Sequence, residues 1–265
     1  MTDLITDIFK MELLIRIMAT SIIVVIVTTA VGKLGPLVGG LLAGLPIGLG
    51  PGFYFLLGHT SEDFLIRTVT FSLLALSATQ VFLISYIVTA KYGFPIISLL
   101  MAVLVWVLVL LGLNRLPVTL PLAISLFAVV TFVAYRFGQR FRVKQSQTER
   151  KERFRMLLLR ALFAGLLVAL VTTSAPKLGG ALSGILLAFP IGYALISITV
   201  HEQYGAASVI SVLHSALLGT IGLATFCVTF AICLQLLPEL TAFAVGLAAS
   251  IAITSCMMFG ATVQG

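Results

Sequence analysis

The side chains of this chain that could do chemistry are few, and their positions exclude most kinds of catalytic site. Its nine carboxylates lie between apolar stretches or at their ends, at Asp3, Asp7, Glu12, Glu62, Asp63, Glu149, Glu152, Glu202 and Glu239. Cys227, Cys233 and Cys256 lie within apolar runs and lack metal-ligand spacing, which is typical of packing residues. His201 and Glu202 begin a HEQYG stretch that lacks the second histidine of a zinc peptidase. We therefore predict neither an enzyme nor a bound cofactor.

Two apolar segments interrupted by proline, GLLAGLPIGLGPG and GILLAFPIG, are the strongest candidates for a binding site. A proline donates no backbone hydrogen bond and clashes with the carbonyl four residues earlier. For Pro46 and Pro190 these carbonyls belong to Leu42 and Leu186. Beyond each proline a helix can restart with unpaired N–H groups and a positive dipole end, which favours an anion. A simple proline kink is the alternative interpretation.

The polar side chains inside apolar stretches complete this candidate site. We expect it to be lined by Gly44, Pro46, Gly48, Gly50, Tyr54, Gln80, Ala188, Pro190, Gly192, Tyr193 and Ser197. Candidates for coupling to a proton or to sodium are His214, Thr28 and Thr172, of which the histidine changes charge near neutral pH. Threonine more often bonds a carbonyl of its own helix, and a buried amide such as Gln80 can serve only to tie helices together.

Small residues recur at every fourth place in both proline-interrupted segments. They form two columns, Gly40, Gly44 and Gly48 in the first segment and Gly180, Gly184, Ala188 and Gly192 in the second. Four-residue spacing puts each column on one helix face, where small residues let backbones approach closely. We expect the two columns to pack against each other.

The composition places these residues in a membrane. The 265 residues are 60% hydrophobic and 9% charged, with a mean hydropathy of +1.19, whereas a soluble domain has about 25% charged residues. Nine of the sixteen Lys and Arg lie between Arg136 and Arg160, so a surface for nucleic acid is not expected. We predict a polytopic membrane protein whose partners are lipid and a small-molecule solute, and leave a homodimer open.

Hydropathy, with proline, glycine and charges as boundaries, predicts nine transmembrane helices. Their ranges are 13–31, 36–57, 64–90, 94–113, 117–135, 156–175, 180–200, 207–236 and 240–260. The only long polar connection, 136–155, carries eight basic residues against two acidic ones. This bias places the connection in the cytoplasm and the N-terminus outside. The membrane that we expect is the bacterial inner (plasma) membrane.

The sequence repeats itself at a distance of 144 residues. Residues 16–48 and 160–192 align without gaps and share 13 of 33 residues, including the patterns TTxxxKLG and PIG. Spans one to four then correspond to spans six to nine, and a shift of five spans makes equivalent helices cross in opposite directions. Inverted repeats of this kind are common in secondary transporters, where the substrate lies near the midplane. A duplication kept only for stability is the alternative.

The predicted fold class is therefore an all-α polytopic membrane protein with two inverted-topology repeats, a linking fifth span and two helices broken at proline. Its parts are repeat 1 (1–113), the linking helix with the basic cytoplasmic loop (114–155) and repeat 2 (156–265). The predicted function is secondary transport of a small solute by alternating access. We expect the solute to be neutral or anionic, because no carboxylate lies at depth to pair with a cationic solute. A channel for such a solute and a non-transport membrane subunit are the alternatives.

Overall fold

The computed structural model describes residues 11, 13–22, 25, 41, 44–46, 49–113, 115, 117–141 and 154–263. Thr28 and Gly48 of the predicted site, and Gly40 of the first glycine column, lie outside these residues. Within the described ranges every regular element is a helix, and no strand occurs. The all-α fold class is therefore confirmed.

Eight helices follow one another along the described chain. They are α1 (Leu13–Ile22), α2 (Leu49–Tyr54), α3 (Glu62–Ala90), α4 (Pro95–Leu113), α5 (Leu120–Gly138), α6 (Phe154–Leu187), α7 (Ile191–Leu234) and α8 (Glu239–Val263). A short 3-10 turn, Gln139–Phe141, extends α5 towards the basic connection.

Two of these helices bend sharply at glycines whose backbone is left-handed. Gly179 has φ 71° and Gly205 has φ 82°, a conformation that residues with a side chain rarely adopt. These bends divide α6 into α6a (154–178) and α6b (180–187), and α7 into α7a (191–204) and α7b (206–234). The divisions fall where the sequence predicts the ends of the sixth and seventh spans.

Six apolar helical segments in the described chain are long enough to cross a membrane, as expected of an integral membrane protein. They are Glu62–Ala90, Pro95–Leu113, Leu120–Phe141, Lys177–Glu202, Tyr204–Leu234 and Glu239–Phe259. Two further apolar helices, Leu13–Ile22 and Ala161–Ala175, are shorter within those limits.

The helix α3 lies at the centre of the bundle and packs against α4, α5, α6 and α7. All of its residues from Thr68 to Gln80 are buried. Its first turn is fixed by the Ser61 hydroxyl, which accepts the Phe64 N–H at 3.3 Å. By contrast, α4 buries only one narrow stripe and exposes leucines such as Leu104, as a lipid-facing helix does.

Candidate functional site

At the second predicted proline break the chain is non-helical over residues 188–190, between α6b and α7a. Ala188 donates the last helical bond, to Gly184 O at 3.1 Å, and the chain then leaves the helix until Ile191. The Pro190 carbonyl accepts the Ala194 N–H at 2.8 Å and so closes the first turn of α7a. The Leu186 carbonyl, which the proline cannot pair with, accepts the Phe189 N–H at 3.1 Å in a tight turn.

At the first predicted proline break, the Pro46 carbonyl closes the turn beyond the proline as the Pro190 carbonyl does. Gly44 and Pro46 belong to a non-helical turn between helical Leu41 and Leu49. Gly44 donates to Leu41 O at 3.0 Å, and the Pro46 carbonyl accepts the Gly50 N–H at 2.7 Å. A new helix, α2, therefore begins just beyond this proline.

The start of α2, beyond the first break, contacts the end of α6b, before the second break. Gly52 of α2 lies on the side chain of Leu187, the last residue of α6b, and a Cβ at position 52 would be 3.4 Å from its Cγ. Gly50, one turn beyond Pro46, faces Leu247 of α8. The structure thus brings the segments around both prolines together in the interior.

The glycine columns do not pack against each other, so that prediction is wrong for the glycines that the structure describes. Gly44 lies on Gly219 of α7b, whose carbonyl a Cβ would overlap. Gly184 lies in the same way on the Thr68 carbonyl of α3, and its own carbonyl accepts the Ser72 hydroxyl at 2.9 Å. Spacing in sequence identifies the close-packing face of a helix, but it does not identify the neighbour.

Gln80 joins three helices near the breaks. The two N–H groups of its Nε2 are shared among three acceptors, Thr131 Oγ1 of α5 at 2.9 Å and Leu217 O and Thr220 Oγ1 of α7b at 3.1 and 2.6 Å. The side chain is fully buried, and its Oε1 has no hydrogen-bond partner among the described residues. The amide therefore ties helices together and still presents one unused acceptor.

His214 lies at the interface of α7b with α5. Its ring is 5.3 Å from the ring of Tyr135, and its Cδ2 lies against Gly138, where a Cβ would be 3.1 Å away. The imidazole is buried, 3% exposed. Its partner Tyr135 lies one helical turn along α5 from Thr131, the residue that accepts a hydrogen bond from Gln80.

Three predicted site residues take other roles in the structure. Tyr54 is 53% exposed and packs its ring against Phe243 at 6.0 Å. The hydroxyls of Ser197 and Thr172 donate to carbonyls of their own helices, at 2.6 and 2.8 Å. These contacts match the alternative interpretation in which a hydroxyl bonds its own helix.

Several buried polar side-chain atoms on the helices that border the breaks have no hydrogen-bond partner within the described chain. They are Ser77 Oγ, Gln80 Oε1, Ser183 Oγ, Tyr193 OH, Ser250 Oγ and Thr254 Oγ1. Each such group costs about 1–3 kcal/mol in a protein interior. A buried group of this kind calls for a partner such as an ordered water or an ion. Three of these residues, Ser183, Ser250 and Thr254, were not predicted from the sequence, where no neighbouring motif distinguishes them.

The described carboxylates at the helix ends lie away from this interior. Glu62, Asp63 and Glu202 are exposed, and Glu239 accepts the N–H of Gly58 at 2.8 Å.

Comparisons of the chain with protein-family models, with curated proteins and with solved structures gave no match.

Proposed function

We propose that this protein is a secondary transporter of a small neutral or anionic solute, which moves by alternating access at the two proline breaks. The observation that carries the proposal is the pair of equivalent interruptions. Pro46 and Pro190, 144 positions apart, each accept the N–H of the residue four places on and begin a new helix in the protein interior. Discontinuous helices at matching positions of two halves are typical of solute sites in secondary transporters.

The helix boundaries support two repeats with a period of 144. A shift of 144 maps α3, Glu62–Ala90, onto 206–234, which are the limits of α7b. The same shift maps Pro95, the first residue of α4, onto Glu239, the first residue of α8. The correspondence therefore extends beyond the aligned residues to helices whose sequences have diverged.

Contacts between α1 and α6a favour an inverted relation over a parallel one. Ser21 Oγ donates to Ala161 O at 2.9 Å, and a Cβ on Gly165 would lie 2.7 Å from Ile17 O. The shift of 144 maps Ile17 onto Ala161 and Ser21 onto Gly165. Exchanging the two helices therefore turns the Ser21–Ala161 contact into the Gly165–Ile17 contact, and the reverse. A two-fold axis between two antiparallel helices produces exchanged contacts of this kind.

The interrupted spans also exchange partners between the halves. Gly44 of the first half packs on α7b of the second, and Gly184 of the second packs on α3 of the first. Each break is therefore held by a long helix that belongs to the other repeat. A rocking of one repeat against the other would move each break relative to its supporting helix, as alternating access requires.

Contacts at the two ends of the bundle agree with the nine-span topology that we propose. The N–H of Gly58, in the connection after the second span, donates to Glu239, at the connection before the ninth span. This topology places both connections outside. Lys91 Nζ lies 5.5 Å from the ring centre of Phe141, across two connections that it places inside. With the basic connection 136–155 in the cytoplasm, we assign the protein to the inner (plasma) membrane of a bacterium.

The groups around the breaks favour an uncharged or negatively charged solute. The partnerless groups there are hydroxyls and one amide oxygen, which bind by hydrogen bonds and include no carboxylate to pair with an organic cation such as an ammonium group. The start of α7a beyond Pro190 adds a positive helix end in the interior. Tyr193 lies in that first turn with its buried OH unpaired.

The first experiment tests the inverted repeat by labelling single cysteines. Lys33→Cys and Lys177→Cys are placed separately in a background in which the three native cysteines are replaced by serine. Reagents that cannot cross the membrane should label them from opposite sides. Labelling of both from the same side would contradict the inverted arrangement.

A second experiment tests transport itself. The purified protein is heated with a panel of sugars, polyols, zwitterionic amino acids, carboxylates and phosphate, and any stabilising compound is then used for uptake into liposomes. Unlabelled solute inside the liposomes should accelerate entry of the labelled solute, which a carrier shows and an open channel does not. Pro190→Ala should lower this exchange, with Pro121→Ala at the exposed start of α5 as the control. Uptake without such acceleration would favour the channel.

A further inference from the structure

Three oxygen atoms surround Gly222 of α7b. A Cβ at this position would lie 3.1 Å from the Gly44 carbonyl oxygen and 3.6 Å from Ser250 Oγ, and it would overlap Thr254 Oγ1. The absence of a side chain at Gly222 therefore lets oxygens from the first break and from α8 converge beside α7b. We call this group of oxygens the Gly222 niche.

The two hydroxyls of the niche are buried and lack hydrogen-bond partners. Ser250 is 0% exposed and Thr254 is 2% exposed, and neither oxygen has a partner in the described chain. Buried hydroxyls in helices usually donate to the carbonyl one turn earlier, as Thr225 does to Ile221 at 2.8 Å on α7b. Because Ser250 and Thr254 lie four residues apart on α8, both can point into the same space.

The third oxygen belongs to the first proline break. Gly44 lies in the non-helical turn before Pro46, on the backbone of α7b. Carbonyls in unwound segments of membrane helices are the groups that coordinate sodium in secondary transporters. A ligand in the niche would therefore touch the break directly.

We propose that the Gly222 niche binds a sodium ion through the Gly44 carbonyl and the hydroxyls of Ser250 and Thr254. Neutral oxygen donors suit a hard cation, and a divalent ion would call for carboxylates. The niche has none, since α8 carries its one acidic residue, Glu239, in its first turn. A proton is not the ligand because no group in the niche titrates near neutral pH.

The equivalent place in the first half is filled by a side chain. The shift of 144 maps the Gly222 niche onto Ala78, Trp106 and Leu110. There Trp106 takes the position of Ser250, with its ring 5.1 Å from that of Phe189 and its Nε1 donating to Thr79 Oγ1 at 3.3 Å. The structure therefore assigns one sodium ion to each chain, at the first break.

The experiment measures sodium binding to the purified full-length protein without any solute. Binding of radioactive sodium should saturate, and an excess of choline should not displace the bound sodium. At a sodium concentration ten times the dissociation constant, the unfolding temperature should rise by about 3–6 °C relative to choline at equal ionic strength. The double variant Ser250→Ala/Thr254→Val should lose both effects, and the control Ser255→Ala, exposed on the same helix, should keep them.

The single variants keep the test valid if the double variant fails to fold. Ser250→Ala and Thr254→Val should each raise the half-saturating sodium concentration about tenfold, since each removes one ligand. Absence of saturable binding, an equal effect of potassium or choline, or undiminished sodium binding in the variants would overturn the proposed site.

A role of this ion in coupling rests on the proposed transport function, whereas its binding does not. If saturable sodium binding is found but no solute exchange, the transport proposal fails and the sodium site stands. If solute exchange is found without sodium binding, the sodium site fails and the transport proposal stands. A sodium gradient that drives uptake in the wild type, and not in the double variant, would support both.

Discussion

The contact of Gly184 with α3 allows the packing around the second break to be tested by one methyl group. A Cβ at this position would overlap the Thr68 carbonyl oxygen and would lie 3.0 Å from the Ser72 nitrogen. Both atoms are backbone and cannot turn away, so Gly184→Ala must push α6b from α3. Overpacking costs about 1–3 kcal/mol, and we expect the upper end here.

The same separation weakens the hydrogen bond from Ser72 Oγ to Gly184 O, now 2.9 Å long. A bond of this kind contributes about 0.5–1.5 kcal/mol. The two effects together give a destabilisation of about 3.5–4.5 kcal/mol. For a chain of this size that lowers Tm by about 7–18 °C.

Cys227 provides the assay because it is fully buried, whereas Cys256 is exposed and Cys233 is partly so. With the last two replaced by serine, a thiol-reactive dye reports unfolding as Cys227 becomes accessible on heating. The matched control is Gly112→Ala on α4, where a Cβ meets nothing within 4 Å. It should leave Tm unchanged or raise it, because alanine favours a helix. Equal Tm values for Gly184→Ala and the wild type would refute the close packing of α6b on α3.

Three further predictions concern the breaks, the interior and the surface. Pro190→Ala should reduce solute exchange at least tenfold while the protein still folds, with Pro121→Ala as the control, measured by counterflow in liposomes. Gln80→Leu should lower stability by about 1–3 kcal/mol, because Thr131 and the α7b groups lose their buried donor, and thermal unfolding will report it. Glu239→Ala removes one exposed contact and should cost less than about 1 kcal/mol in the same assay.

The sequence predicted the helical fold and the limits of individual helices, because hydropathy and proline act locally. The predicted span 94–113 corresponds to α4, Pro95–Leu113, and both prolines interrupt helices as expected. A proline removes its hydrogen bond whatever surrounds it, so the breaks needed no tertiary information. The 144-residue period also came from sequence, through residues such as the shared PIG.

The composition of the site was harder to predict, because it depends on which helices are neighbours. Gln80 was correctly expected in the interior, but its partners on α5 and α7b are distant in sequence. Tyr54 and Ser197 have suitable side chains, yet one faces outwards and the other bonds its own helix. Ser250 was not considered because nothing near it in sequence marks it as part of a site.

Hydropathy also fails to separate the interior of this protein from its lipid-facing surface. The helix α4 is more apolar than α3 and yet more exposed, because lipid is as apolar as a protein core. Small and polar residues are therefore the informative ones in such a chain, since they are retained where backbones meet or where a polar ligand binds. The first half has Trp106 where the second has Ser250, and this difference between equivalent positions is why we propose an ion at only one of the two breaks.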